Sequence, residues 1–133
     1  MIKKLSYYKK RVKKPKTWSS KIADTKFSKW IMERDDYKCQ KCGHGQERHL
    51  TCSHFWGRTR SSTRYHPDNC LTLCWMPCHV KWEKEKQGEY EDFMRKRLGE
   101  RGYNELKDRA NISMKRVDAI REFQNIINQV YGY

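Results

Sequence analysis

Between two cysteine pairs, Cys39-Gln-Lys-Cys42 and Cys74-Trp-Met-Pro-Cys78, lie His54 and Asn69, and His79 follows the second pair directly. Four thiolates in two such pairs suit the corners of a tetrahedral zinc ion, even with one extra residue in the second pair. Zinc held this way is a staple with every position closed. The residues it encloses are of the types that hydrolysis of a phosphodiester needs. A neutral imidazole with a pKa of about 6.5 can take a proton from water at neutral pH. A second imidazole can ligate a divalent cation.

The remaining candidates read more plainly. His44, His49 and His66 are expected as ordinary surface or core histidines. Cys52 and Cys70 fall in predicted strands and read as small buried apolar side chains. Exchanging either of them into the cage strains its geometry.

The elements that must position these groups can be read from pattern. Asp24 or Thr25 caps a helix that packs through Phe27, Trp30 and Ile31 and ends near Asp35-Asp36. Gly43 and Gly45 permit the turn after the first cysteine pair. His49 to Ser53 predicts a short strand, and Asn69 to Leu73 its antiparallel partner. The polar loop between them is long for a hairpin, which signals function or disorder. Pro77 suits the first turn of the next helix, placing His79 and Glu83 one turn apart on one face. Gln87-Gly88 breaks that helix. Tyr90, Phe93, Met94 and Leu98 mark an amphipathic segment halted near Gly99 and Gly102, with a short helix over 103–109. Val117, Ile120, Phe123, Ile126, Ile127 and Val130 recur at helical spacing and predict a last helix, packed on the rest of the chain or on a second copy.

Composition narrows the class of partner. The 133 residues carry a formal charge of +14 and a sequence pI of about 9.7, with 36% hydrophobic and 35% charged residues. So thin an apolar content calls for added stabilisation from a metal or a partner. So large a positive charge favours a polyanion, most simply nucleic acid. Residues 1–21 are basic with no acidic residue among them and read as a flexible arm whose charge and reach suit a phosphate backbone. No apolar run is long enough for a membrane span, no membrane partner is expected, and a cytoplasmic location follows, with the six cysteines reduced or metal-bound.

Taken together, these residues resemble the HNH (ββα-metal) endonuclease family, and within it the phage NinG-like recombination nucleases. The resemblance runs from about Cys39 to Met114. It rests on the Cys-x-x-Cys pair, Ser53-His54-Phe55, Thr63-Arg64-Tyr65-His66-Pro67-Asp68-Asn69, the Cys74-x-x-x-Cys78 spacing, and the Tyr90 to Leu106 region. It implies an α+β fold: a zinc-stapled ββα-metal core over about 37–88, C-terminal helices over about 89–131, and the basic arm, with 22–133 forming one nuclease domain. By position, His54 resembles the general base and Asn69 the residue that pins the loop and orients that base. His79 resembles a ligand for a catalytic Mg²⁺ or Mn²⁺, alongside structural Zn²⁺ on Cys39, Cys42, Cys74 and Cys78. Ser53 stands where many members carry an acidic or histidine ligand, so Glu83 or Asp68 is expected to assist His79.

The function implied is metal-dependent endonucleolytic cutting of duplex or branched DNA with low sequence specificity, by a phage-encoded protein working in the host cytoplasm. Arg58, Arg60, Arg64 and Lys81 are the candidate DNA contacts. The rival reading is a non-catalytic, zinc-stabilised nucleic-acid-binding protein, which explains the charge and the cysteines but not His54, Asn69 and His79. A homodimer, or a packaging or recombination partner, would dock on the C-terminal helix.

Overall fold

The computed structural model describes residues 16–131. Most of the predicted arm, residues 1–15, lies outside the described residues. Its last residues are docked on the protein. Trp18 donates its main-chain N–H to Gln124 Oε1 at 3.2 Å, and Gln124 Nε2 returns a bond to the Lys16 carbonyl at 3.1 Å. The Trp18 indole meets Phe123 edge-on with centroids 5.9 Å apart.

Helix α1, Ser20–Arg34, starts earlier than expected because Ser19 is the cap, its Oγ accepting the Ile22 N–H at 3.3 Å. Asp24 and Thr25 therefore lie inside the helix, not at its end. Ala23, Phe27 and Ile31 recur at four-residue spacing and form its buried stripe. The helix ends at Asp35, and Asp36 and Tyr37 turn the chain with positive φ. Gly43, at φ 80°, lets the chain fold back after the first cysteine pair.

Strand β1, Leu50–His54, pairs antiparallel with β2, Cys70–Cys74, in a register running from Leu50 opposite Cys74 to His54 opposite Cys70. Both strands sit one residue later than predicted, which makes His54 the last residue of β1. The connecting loop is packed. It contains a short helix α2, Ser61–Arg64, and a tight turn over Pro67–Asn69, with Ser62, Thr63, Arg64 and Tyr65 buried.

After β2 a wide helical turn, Trp75–His79, leads into α3, Val80–Lys84, and then α4, Gln87–Ala110. The break expected at Gln87-Gly88 is thus the start of α4. The expected halt at Gly99 is present as a bend, where φ is 72° and ψ 165°. Helix α5, Arg116–Tyr131, buries Ile120, Phe123 and Ile127 within the chain, while Val117 and Val130 are exposed.

The architecture is mixed α and β, mostly helical around a two-stranded sheet. Strand β2 is buried along its whole length. One cluster gathers Leu71 and Leu73 with Trp82, Tyr90, Met94 and Leu106. The other gathers Cys70 with Phe27, Ile31, Phe123 and Ile127. Strand β1 is therefore left with a partly open edge, and the chemistry-bearing side chains line it. Among the described residues, no helix is long and apolar enough to cross a membrane.

Candidate functional site

The sulfurs of Cys39, Cys42, Cys74 and Cys78 all lie within 4.8 Å of one another. Four thiolates around zinc at about 2.3 Å sit roughly 3.8 Å apart, and Cys42 Sγ and Cys74 Sγ are separated by 3.8 Å. This four-cysteine cluster could hold a structural metal such as zinc. Two donors face its sulfurs: the Cys42 N–H points at Cys39 Sγ (3.5 Å), and Arg48 Nη1 lies 3.9 Å from Cys74 Sγ. Burial raises the Cys39 thiol, but main-chain N–H donors at Cys42, Cys74 and Lys41 outweigh it and bring the group to about 7. At Cys42 and Cys78 burial prevails and raises the thiol.

His54 and His79 line one cleft of about 820 Å³, together with Arg58, Trp75, Glu83 and Glu91. Each imidazole has one nitrogen tied to the scaffold. His54 Nε2 lies 2.9 Å from the Arg64 carbonyl and must donate to it, which leaves Nδ1 as the lone pair. Burial holds this histidine down at about 4, with the Arg58 and Arg64 charges adding to the effect and the Arg64 carbonyl opposing it. The ring is thus neutral over a wider range than an ordinary histidine, and is a weaker base than the expected 6.5.

His79 is held through its other nitrogen. The Thr51 hydroxyl donates to the Leu73 carbonyl at 2.8 Å, so its oxygen accepts from His79 Nδ1 at 2.6 Å. That leaves the lone pair on Nε2, 3.5 Å from Glu83 Oε2. Burial lowers the His79 pKa, against the opposing pull of Glu83. With the ring neutral, a lone pair and a carboxylate oxygen face one another. That pairing suits a cation between them. Asp68, the other expected helper, is exposed and does not line this cleft. Ser53 is buried, its Oγ 2.9 Å from the Tyr90 hydroxyl.

Asn69 is fully buried, and every bond its amide makes goes to the loop. Its Nδ2 donates to the Trp56 and Thr63 carbonyls at 2.9 and 3.1 Å, and its Oδ1 accepts the Trp56 N–H at 2.8 Å. It makes no bond to His54. It fixes the segment whose next carbonyl, that of Arg64, holds the imidazole.

The four basic candidates do not stand alike. Arg64 is buried and clamped on Asp24 by two bonds of 2.6 and 3.0 Å, with a third to the Arg58 carbonyl at 3.1 Å. Its guanidinium is spent inside the protein, so the expected phosphate contact gives way to a structural role. Arg58 also reaches Asp24, at 2.6 Å, but is exposed and lines the cleft. Arg60 caps the end of α4 through the Ala110 carbonyl at 2.9 Å, and Lys81 is exposed on α3. Burial opposes ionisation of Asp24, yet the hydrogen bonds from Arg64 and Tyr65 and the two guanidinium charges outweigh it and lower its pKa.

Thr51 and Glu91 were not singled out from sequence, and Asp24 was expected only as a helix cap. Strand alternation puts Thr51 on the face opposite Cys52 and His54, but that it meets a helix residue 28 positions on is a tertiary fact. Asp24 has Lys21 within helical reach, and only the fold brings it Arg58, Arg64 and Tyr65 from 34 to 41 positions on. In comparisons with known proteins, no family model, no curated protein and no solved structure matched the chain.

Proposed function

We propose that this protein is a metal-dependent DNA endonuclease of the HNH type, with β1, β2 and α3 as its ββα core. The observation that carries the reading is that His54 and His79 both line one cleft, each with a single nitrogen anchored and the other left as a lone pair. His54 Nδ1 takes the proton of the attacking water, and the Arg64 carbonyl holds the ring in that tautomer. His79 Nε2 and Glu83 would hold a divalent cation. When bound, Mg²⁺ or Mn²⁺ supplies positive charge against the phosphate in the transition state. Arg58 faces the same cleft and neutralises a substrate phosphate, while Arg60 and Lys81 lie outside it and contact the flanking backbone. The charge of +14 draws the polyanion in.

The test is cutting of supercoiled plasmid in Mg²⁺ or Mn²⁺ by the wild type and by His54→Ala. Loss of cutting with retained DNA binding is expected. A second reading, a zinc-stapled nucleic-acid binder without catalysis, is favoured by Ser53, which is tied to Tyr90 and adds no ligand to the cleft. DNA binding with no cleavage in any divalent ion would establish that reading instead.

A further inference from the structure

Alternation along β1 sends Cys52 and His54 to one face, and the register places Cys70 directly opposite His54. The two sulfurs and a ring nitrogen of His54 all lie within 4.8 Å of one another. We propose that Cys52, Cys70 and His54 form a second metal site, separate from the four-cysteine cage, for a soft or borderline ion such as Zn²⁺, Co²⁺ or Cu⁺. The inference rests on these three residues and not on the nuclease reading.

Three features carry it. The donor set of two sulfurs and an imidazole selects thiophilic ions and disfavours Mg²⁺, which takes oxygen ligands. The His54 Nε2 bond to the Arg64 carbonyl, at 2.9 Å, is the outer-shell bond that metal-bound histidines make, and it leaves Nδ1 as the donor. Cys52 and His54 also line two openings, the larger cleft and a smaller one of about 290 Å³ beside α1, so an ion has a way in. Three protein ligands leave a fourth position for water or a ligand, as in reactive rather than structural zinc sites.

This site is distinct from the cage. Cys74 pairs with Leu50 at one end of the sheet and Cys70 with His54 at the other, about 13 Å apart along the strands. Where His54 serves as a base, an ion here takes the same lone pair. Soft-metal loading and proton abstraction then exclude each other.

Native mass spectrometry of the full chain, reduced and then saturated with Zn²⁺, decides the matter. Two zinc ions per wild-type chain are expected, falling to one in Cys52→Ser and in Cys70→Ala. Far-UV circular dichroism checks that each variant is folded. One zinc or none in the wild type, or two in both variants, overturns the proposal. A Co²⁺ titration of the wild type gives an answer that needs no variant. The second equivalent is expected to add sulfur-to-cobalt charge-transfer absorption weaker than that of the first, and a titration ending at one equivalent overturns the site.

Discussion

The imidazole of His54 hangs from the main-chain carbonyl of Arg64, at 2.9 Å, while the guanidinium of the same Arg64 is locked on Asp24. One residue thus couples the proposed base to helix α1. Its backbone sets the tautomer, and its side chain anchors the loop that supplies the backbone.

A pH dependence follows for the base. His54 titrates at about 4 in the folded protein, against about 6.5 unfolded. Between those values the unfolded chain binds more protons, so stability rises with pH through that window and is lost as pH falls. The contribution above pH 6.5 is at most about 3 kcal/mol. In urea titrations, His54→Phe should flatten the change in stability between pH 4 and 6.5 relative to wild type. The acid limb of plasmid cutting should likewise fall nearer pH 4 than 6.5.

Asn69, which the proposed function makes a positioning residue, bonds three main-chain groups of the loop through its amide. Replacing it with Ala takes the partners from the Trp56 N–H and carbonyl, while the Thr63 carbonyl keeps the His66 N–H, and should cost about 3 kcal/mol in urea denaturation. Cutting should fall with it, because the Arg64 carbonyl is no longer held. Asn69→Asp keeps the acceptor and loses the donors, so partial stability without activity is expected.

Breaking the clamp from the other side should also destabilise. Asp24→Ala leaves the Arg64 side chain, 9% exposed, with the Arg58 carbonyl but no carboxylate. A loss of about 3 kcal/mol is expected. The double variant Asp24→Ala with Arg64→Met should recover much of it, because no charge is then left buried. Thermal unfolding of the three proteins checks this.

Removing metal from the four-cysteine cage should unfold the sheet end it ties down. A chelator at neutral pH is expected to collapse amide dispersion in NMR spectra, and restoring zinc to recover it. Persistence of the native spectrum without metal would mean that the two cores hold the fold by themselves.

Thr51→Val removes the acceptor that holds His79 Nδ1, leaving Nε2 free to carry the proton instead. The Mn²⁺ concentration for half-maximal cutting should rise about 10- to 100-fold. Cutting at saturating Mn²⁺ should change much less.

Some of this protein was already determined by local pattern. The cysteine pairs, the end of α1, the one-turn spacing of His79 and Glu83 and the packing stripe of α5 depend on neighbours a few residues apart. Strand and helix periods express such relationships directly. Tertiary structure decided the rest. A slip of one residue in strand placement moves every side chain to the other face, so which face His54 shares with Cys52 and Cys70 required the actual register. The fate of Arg64 could not be read either, because its partner lies 40 residues earlier on a separate helix. A charged side chain looks alike in sequence whether it meets solvent, a phosphate or a buried carboxylate. Only packing selects among them, since burial makes an unpaired charge intolerable and pairs it with whatever the fold brings near.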